Sequence, residues 1–233
     1  MVDKCWAIIP ARGGSTGVIG KNIRILGETP LIGYSIKALQ RANVFEKIVV
    51  TSDSKEILAV AKDFGAEIYL RSDPEESNNV VMPDVPVCSY LQSVPDRERP
   101  KFCLMVQCTS PFVTSKSYYN AYKELQKRAG STVFAAHVAH AFLWQRENED
   151  DPNSKWLPIN HPFYERIGRQ FSKLQQVNEN GAFYGFPVNP FLAARHRFFS
   201  EAYPILIEGD ELIDINELSD WEFAQFKISS KES

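Results

Sequence analysis

The sequence lacks the features that mark membrane proteins, nucleic-acid-binding proteins and metal sites built from cysteine and histidine. Its 233 residues contain no apolar run that approaches the roughly 20 residues needed to cross a bilayer. The formal net charge is −3, and an acidic protein does not attract nucleic acid or an anionic membrane surface. The four cysteines form no CxxC pair, and the four histidines show no metal-ligand spacing with cysteines or acids. We therefore expect a cytoplasmic protein with reduced thiols, which has neither nucleic acid nor a membrane as a partner.

Two standard nucleotide-binding motifs are also missing. The glycines near the N-terminus are not followed by Gly-Lys-Ser/Thr, so the chain has no Walker A loop. The dinucleotide pattern G-x-G-x-x-G is absent as well. A nucleotide site in this protein therefore needs a different loop.

The most informative stretch runs from Trp6 to Asn22 and reads WAIIPARGGSTGVIGKN. Its apolar run predicts a strand that is buried on both faces, and the strand should end at Pro10 because proline cannot donate a ladder hydrogen bond. Glycines follow, and their backbone freedom allows consecutive N–H groups to turn inward and form an anion-binding nest. Arg12 and Lys21 place positive charge on either side of these glycines. The stretch predicts a site for a polyphosphate, and the alternative is a plain turn with solvated cations.

Hydrophobic periodicity along the rest of the chain predicts alternating strands and helices. The expected strands are residues 7–9, 48–50, 68–70, 102–106, 132–138, 182–186 and 204–207. The expected helices are residues 31–42, 54–64, 84–91, 115–127, 190–195 and 219–226. Thr29 and Pro30 should be the cap and the first residue of the first helix. Ser219 and Glu222 fit a capping box for the last helix, which should fray from Ser229 onward. The alternation predicts an α/β fold with a parallel sheet and right-handed crossovers.

One long segment interrupts this alternation. Residues 140–178 carry large apolar and aromatic side chains among charges and show no strand–helix rhythm. A segment of this length in a compact domain usually packs on something. We expect a single domain over residues 1–233, with an insertion at about residues 140–178 that serves as a dimerisation arm or a lid.

Ligands of an open parallel sheet bind beyond the carboxyl ends of the strands. This rule collects three loops at one edge of the predicted sheet, at residues 12–21, 52–53 and 107–110, and Asp214 can join them. The combined group has cations at one end, amides and hydroxyls in the middle, and a carboxylate at the other end. Such a set suits a nucleoside triphosphate with its magnesium ion.

Several segments also resemble one known family. These segments, in chain order, are IIPARGG-S-x-G-x-x-x-KN, PLIGYSIKAL, VTSDSKEI, QCTSPF, GRQ, ENGAFY and IDINELSDWEFA. They resemble the elements of the acylneuraminate cytidylyltransferases, in the same order and over nearly the whole chain. The resemblance implies a Rossmann-like, mostly parallel sheet with helices on both faces, and a homodimer. It also implies an enzyme that joins CTP to an acidic nine-carbon α-keto acid sugar and releases pyrophosphate.

The resemblance assigns roles to individual residues. The catalytic residues would be Arg12, Lys21 and Asp214. Nucleotide binding is assigned to Ala11, Arg12, Gly13, Gly14, Ser15, Lys21, Asn22 and Asp84. Sugar binding is assigned to Gln107, Thr109, Ser110, Arg166, Arg169 and Gln170. Asp214 and Asn216 would hold Mg²⁺, the implied cofactor.

Some alternatives remain open at this point. The family usually has lysine at the position of Thr16, so contact with the phosphates should be weaker or supplied elsewhere. It usually has an acid at the position of Asn216, so magnesium affinity should fall unless Asp210, Glu211 or Asp53 compensates. Asp214 can instead cap a turn. Arg166 and Arg169 either reach the sugar carboxylate or lie on a solvated face. Two further functions compete: a nucleotidyltransferase for another acid sugar such as the eight-carbon Kdo, and a sugar-nucleotide-binding protein without catalytic activity.

Overall fold

The computed structural model describes residues 3–15, 17–73, 76, 81–164 and 176–232. Its strands are β1 (Cys5–Pro10), β2 (Ile25–Leu26), β3 (Thr29–Pro30), β4 (Lys47–Ser52), β5 (Glu67–Leu70), β6 (Phe102–Val106), β7 (Thr132–Ala139), β8 (Trp144–Arg146), β9 (Trp156–Pro158), β10 (Gln176–Pro187) and β11 (Ala202–Leu206). Its α-helices are α1 (Leu31–Ala42), α2 (Lys55–Asp63), α3 (Asp84–Ser93), α4 (Ser115–Lys127), α5 (Val188–Ala194) and α6 (Leu218–Glu232).

Within these residues, a seven-stranded sheet forms the centre of the molecule, in the order β11-β7-β10-β6-β1-β4-β5. All its strands are parallel except β10, which runs opposite to its neighbours β6 and β7. The alternation of strands and helices in the sequence is therefore realised as the mostly parallel α/β sheet that was predicted. The antiparallel direction of β10 was not predicted, because the pattern of a buried strand is the same in either direction.

The side chains of β1 alternate between the two faces of the sheet. Ala7 and Ile9 join a core with apolar side chains of α1, α2 and α4, whereas Trp6 and Ile8 join a second core with side chains of α3 and α5. Helices therefore cover both faces, and every one of these four side chains is buried. A strand that is buried on both faces needs a continuous apolar run, which is what the sequence shows.

The start of α1 differs from the prediction although its range is the same. Pro30 precedes the helix and is not its first residue, and its backbone is extended. The predicted Thr29 cap is wrong, because the Thr29 hydroxyl accepts a hydrogen bond from Lys37 Nζ at 3.2 Å instead. Thr29 and Pro30 pair with β2 in a small antiparallel ribbon, and this pairing fixes the chain before the helix begins.

The predicted capping box and frayed end of the last helix are also wrong. Asp220 provides the cap, because its Oδ2 accepts from the backbone N–H of Asn216 at 2.8 Å and of Glu217 at 2.9 Å. Ser219 donates its hydroxyl to Glu217 Oε1 at 3.0 Å. The helix continues through Ser229 to Glu232.

The segment expected as an arm contains regular structure. Strands β8 and β9 form an antiparallel hairpin, and β10 begins at Gln176, six residues earlier than the sequence predicted. Residues 176–179 continue the pairing of β10 with the last residues of β7. Trp144 lies edge-on to His161 and to Phe163, with ring centroids 5.0 and 5.7 Å apart. These rings are partly exposed.

No helix of the described residues is long and apolar enough to span a membrane.

Candidate active site

A cleft of about 640 Å³ opens at the carboxyl edge of the parallel strands. This volume lies within the usual range for small-molecule sites. The loop after β1, the segment after β5, the loop after β6 and the turn within β10 line the cleft, together with the segment before α6. The described lining residues are Pro10, Arg12, Ser15, Gly17, Lys21, Asn22, Arg71, Glu76, Val81, Met82, Pro83, Pro86, Gln107, Cys108, Thr109, Gly181, Tyr184, Arg197, Asp214 and Asn216. The loops that the sequence predicted to meet at one edge are therefore brought together.

The first half of the loop after β1 is held by a neighbouring carboxylate. The backbone N–H of Gly13 donates to Asp53 Oδ1 at 2.8 Å. Neither Gly13 nor Gly14 has a left-handed backbone, so the expected nest is not formed there. Gly20, with φ +62°, adopts the left-handed conformation and precedes the short helical turn at Lys21. Asp53 therefore fixes the first half of the loop, and its role as a substitute metal ligand stays a prediction.

The second half of the loop packs against the segment before α6. A Cβ atom on Gly17 would lie 2.0 Å from the carbonyl oxygen of Asn216, so only glycine allows this approach. Lys21 Nζ donates to the carbonyl oxygen of Ile215, and Val18 is buried in the same small core as Ile215. Burial lowers the pKa of Lys21, while the charge of Asp214 acts in the opposite direction. The cation and the candidate metal segment are thus fixed relative to each other.

Asn22 joins this loop to the next strand of the sheet. Its Nδ2 donates to the carbonyl oxygen of Arg12 at 2.9 Å, and its Oδ1 accepts from the Cys108 thiol at 3.3 Å. Burial raises the pKa of Cys108 to about 12, so the thiol keeps its proton. Asn22 lines the cleft and also holds the Arg12 backbone in place.

The candidate metal ligands are adjacent. Asn216 Nδ2 donates to Asp214 Oδ2 at 2.7 Å. Asp214 Oδ1 is buried, and no residue in the described part of the chain donates to it. A buried carboxylate oxygen that accepts no hydrogen bond destabilises the folded protein unless a cation or water reaches it. Asp214 and Asn216 therefore fit a hard cation whose other ligands are mostly phosphate oxygens and water. Among the described residues, no group of three or more His, Cys, Asp or Glu could hold a metal ion.

The acids suggested as substitutes for a second ligand have other partners. Asp210 pairs with Lys227 Nζ at 3.0 Å. Glu211 Oε1 accepts from the backbone N–H of Thr114 and from two hydroxyls at the start of α4. Both carboxylates anchor the segment that leads to Asp214, and the suggestion that they compensate for Asn216 stays a prediction.

The turn within β10 forms the other side of the cleft. The register of β10 shifts between Glu179 and Tyr184, and Gly181 has φ +87° there. The backbone N–H of Gln107 donates to the carbonyl oxygen of Ala182 at 2.8 Å, which holds the Gln107 loop against this bulge. The carbonyl oxygen of Thr109 accepts from the backbone N–H of Ile215 at 2.8 Å. Gln107 and Thr109 thus line the cleft opposite the loop that carries Arg12.

Two lining arginines were missed by sequence reasoning. Arg71 directly follows β5, where its Nε and Nη2 donate to Thr51 at 2.9 and 2.8 Å and burial lowers its pKa. The rule that ligands bind beyond strand ends could have found it. Arg197 follows α5 and pairs with Asp84. No sequence pattern brings Arg197 and Asp84 together, since 113 positions separate them.

Some predicted site residues lie elsewhere. Asp84 is buried behind the cleft wall, where it binds Arg197, and its contact with a nucleotide stays a prediction. Ala11 and Ser110 are buried and do not line the cleft. Four positions discussed from the sequence fall outside the described residues: Thr16, Arg166, Arg169 and Gln170.

Comparison with known proteins agrees with this arrangement. A family model described as cytidylyltransferase matches residues 6–155. N-acylneuraminate cytidylyltransferase of Escherichia coli O18:K1:H7 is 29% identical over 229 residues, which are 96% of this chain and 52% of that protein. N-acylneuraminate cytidylyltransferase A of Danio rerio is 34% identical over 76% of this chain and 40% of its own length. The chain thus spans about half the length of these relatives or less. CMP-N,N'-diacetyllegionaminic acid synthase of Legionella pneumophila is 30% identical over 232 residues, which cover 92% of each protein.

Solved structures show the same fold at low sequence identity. CMP:2-keto-3-deoxy-manno-octonic acid synthetase complexed with CTP superposes with a TM-score of 0.72 at 13% identity, over 98% of this chain and 99% of that one. 4-diphosphocytidyl-2C-methyl-D-erythritol synthase of Anaerococcus prevotii gives a TM-score of 0.69 at 13% identity, over 97% and 99%. The family model and the identity to nearly all of the Legionella protein show that this chain belongs to the cytidylyltransferase family, as the acylneuraminate cytidylyltransferase motifs of its sequence predict.

Proposed function

We propose that this protein joins CTP to an N-acylated nine-carbon α-keto acid sugar and releases pyrophosphate. The observation that carries the proposal is the cleft, where the loop with Arg12 and Lys21 meets Gln107 and Asp214 at one edge of the sheet. Relatives that share the family are named for transferring cytidylyl groups to N-acylneuraminate and N,N'-diacetyllegionaminic acid. The cleft offers cations for a triphosphate and polar groups for a sugar, which the proposed reaction requires.

In the proposed reaction, a hydroxyl oxygen of the sugar attacks the α-phosphorus of CTP. The new phosphorus–oxygen bond forms as the bond to the bridging oxygen breaks, the hydroxyl proton is released, and pyrophosphate leaves. Negative charge grows on the departing phosphates, and fixed cations stabilise that charge. Lys21 is suited to this task because its contact with Ile215 and the packing of Val18 fix its position. Arg12 is held at its backbone by Asn22.

Magnesium is the proposed cofactor. Asp214 would hold it through the buried Oδ1, with Asn216 contributing its carbonyl oxygen. The ion would neutralise phosphate charge when it is bound. The sugar would be oriented by Gln107, Thr109 and the described part of the β10 bulge. Binding in a fixed orientation would offset the entropic cost of bringing the two substrates together.

We also propose that the protein is a cytoplasmic homodimer. Support for the location comes from Cys5, Cys88, Cys103 and Cys108, which are free and buried. Support for the dimer comes from exposed apolar side chains on and beside the β8–β9 hairpin, among them Trp144, Trp156 and Phe163. Monomeric soluble proteins rarely expose large groups of apolar side chains, so a second copy of the hairpin surface is the proposed cover.

The test is pyrophosphate release from CTP, measured with a panel of acceptors. The panel contains N-acetylneuraminate, legionaminate and pseudaminate derivatives, together with the eight-carbon Kdo. We expect release with at least one nine-carbon acceptor and none without an acceptor. Release with Kdo alone would overturn the choice of acceptor. Tight CTP binding without release for any acceptor would leave a sugar-nucleotide-binding protein in place of the proposed enzyme.

A further inference from the structure

Arg197 and Asp84 form a buried ion pair at the wall of the cleft. The exposed fractions of the two residues are 5% and 2%. Asp84 Oδ1 accepts from the backbone N–H of Arg197 at 2.8 Å and from its Nε at 3.1 Å, while Oδ2 accepts from Nε at 3.0 Å and from Nη2. Both carboxylate oxygens are therefore engaged by a single arginine, and the side chain of Arg197 is held rigidly.

The guanidinium group also lies against an aromatic ring of the cleft. Its carbon atom is 4.2 Å from the centroid of the Tyr184 ring, and Arg197 and Tyr184 both line the cleft. Burial raises the pKa of Tyr184, and the nearby positive charge of Arg197 acts against that rise. The ring therefore supports one face of the guanidinium plane and leaves its outer edge to the cleft.

One donor of this group is not used by Asp84. The hydrogen bonds to the Asp84 carboxylate come from Nε and Nη2, and Nη1 makes none with it. The Tyr184 hydroxyl, which donates to Glu179, also lies within hydrogen-bonding reach of the guanidinium group. Arginine carries five N–H donors in a fixed plane. Because Asp84 fixes that plane, Nη1 has a defined orientation that a bound ligand can use.

The position of Arg197 separates it from the phosphate loop. Arg12 and Lys21 follow β1, whereas Tyr184 lies on β10, and β6 stands between these two strands. Gln107 follows β6 and is bonded to the β10 bulge. Arg197 thus belongs to the side of the cleft where the proposed function places the sugar.

Charge decides which sugar group this donor suits. Asp84 neutralises Arg197, so the pair carries no net charge into the cleft. An anion such as the sugar carboxylate gains most from an arginine that has no carboxylate partner already. A neutral carbonyl oxygen needs only a well-oriented donor, and a donor left unpaired in a buried site penalises any ligand that lacks the matching acceptor.

We propose that Arg197, held in position by Asp84, is a specificity-determining residue that donates from Nη1 to the acyl carbonyl of the acceptor sugar. This inference rests on the proposed function, since it names the group that the acceptor side of the same cleft reads. Tyr184 supports the guanidinium group by stacking, and Asp84 acts only as a positioning residue.

The experiment compares four proteins: wild type, Arg197→Met, the double variant Asp84→Asn/Arg197→Met, and Arg195→Met. The double variant removes both charges, so it leaves no unpaired buried ion if the single variant fails to fold. Arg195 is the matched control because it is an exposed arginine on the same turn. KM and kcat are measured for an N-acetylated acceptor and for its counterpart with a hydroxyl in place of the acylamino group, and CTP affinity is measured by calorimetry without acceptor.

We expect the double variant to lose about tenfold or more in its preference for the N-acetylated acceptor, mainly through KM. The CTP affinity of Arg197→Met should stay within about twofold of wild type, which corresponds to about 0.4 kcal/mol, and so should every parameter of Arg195→Met. Unchanged acceptor preference in an active double variant would overturn the inference alone. A loss of CTP affinity in Arg197→Met that parallels the loss of preference would overturn it too, because Arg197 would then contact the nucleotide or only support the fold. Wild-type protein that is inactive with every acceptor would overturn the proposed function together with this inference.

Discussion

Gly17 and Asn216 are in direct backbone contact, although they lie almost at opposite ends of the chain. A Cβ atom on Gly17 would stand 2.0 Å from the carbonyl oxygen of Asn216, a separation that real Cβ atoms do not reach. This contact joins the loop that carries Lys21 to the segment that carries Asp214. The distance between the proposed phosphate cation and the proposed metal ligand is thus set by a glycine.

The contact predicts a sharp difference between two glycines of one loop. Gly17→Ala must push the two segments apart, and we expect kcat/KM for CTP to fall at least about tenfold, since about 1.4 kcal/mol of lost stabilisation is a factor of ten. Gly14→Ala is the matched control, because no atom of the described residues, its two chain neighbours aside, lies within 4 Å of the place its methyl carbon would take, and its φ is not left-handed. Steady-state kinetics and melting temperatures of both variants check this. Equal activity in the two variants would contradict the assigned contact.

Replacing either cation of the loop with an apolar side chain of similar size should lower the turnover rate. Lys21→Met and Arg12→Met each remove a charge that would stabilise the departing pyrophosphate, and we expect turnover to fall at least about tenfold in each. Lys55→Met, at the exposed start of α2, provides the control. Turnover is measured at saturating CTP. Wild-type rates in Lys21→Met would refute the phosphate-loop assignment.

The sequence specified the sheet better than it specified the loops. The range of β6 follows from its continuous apolar run, because a strand between two covered faces demands one, and the range of α1 follows from apolar residues at helical spacing. The cap of α6 does not follow, since Ser219 and Asp220 are adjacent and both can accept from a backbone N–H. The choice between them depends on how the chain leaves Asn216, which is a tertiary property.

Site residues show the same division. Arg12, Lys21 and Gln107 were found because each follows a recognisable strand, and the carboxyl ends of parallel strands share one edge. Arg197 was not found because its position depends on the antiparallel return of β10 and on a buried partner, Asp84, that is distant in sequence. Charge pairs of this kind leave no periodic pattern in the chain.

Metal dependence should respond to a single charge. Asn216→Asp places a second carboxylate beside Asp214 in place of the 2.7 Å hydrogen bond, and a hard dication prefers charged oxygens. We expect a lower magnesium concentration for half-maximal rate, and a melting temperature that is reduced without magnesium and recovers on its addition. Asp214→Asn should nearly abolish activity. If neither substitution changes the magnesium dependence, Asp214 and Asn216 do not form the metal site.

The hairpin surface predicts self-association. Trp144→Ser with Phe163→Ser removes two exposed aromatic rings and should shift the protein from dimer to monomer, as measured by light scattering at micromolar concentration. Tyr119→Ser, an exposed aromatic residue on α4, should leave the mass unchanged. A wild-type protein that is monomeric under the same conditions would refute the proposed dimer.

In the proposed reaction, the acceptor hydroxyl attacks the α-phosphorus of CTP. The most direct test of this step uses an N-acylated nine-carbon acceptor labelled with oxygen-18 at the attacking hydroxyl, followed by mass spectrometry of both products. We expect a CMP-sugar that retains the label and pyrophosphate that contains none. Formation of free CMP without a CMP-sugar, or a CMP-sugar without the label while the unreacted acceptor keeps it, would contradict it.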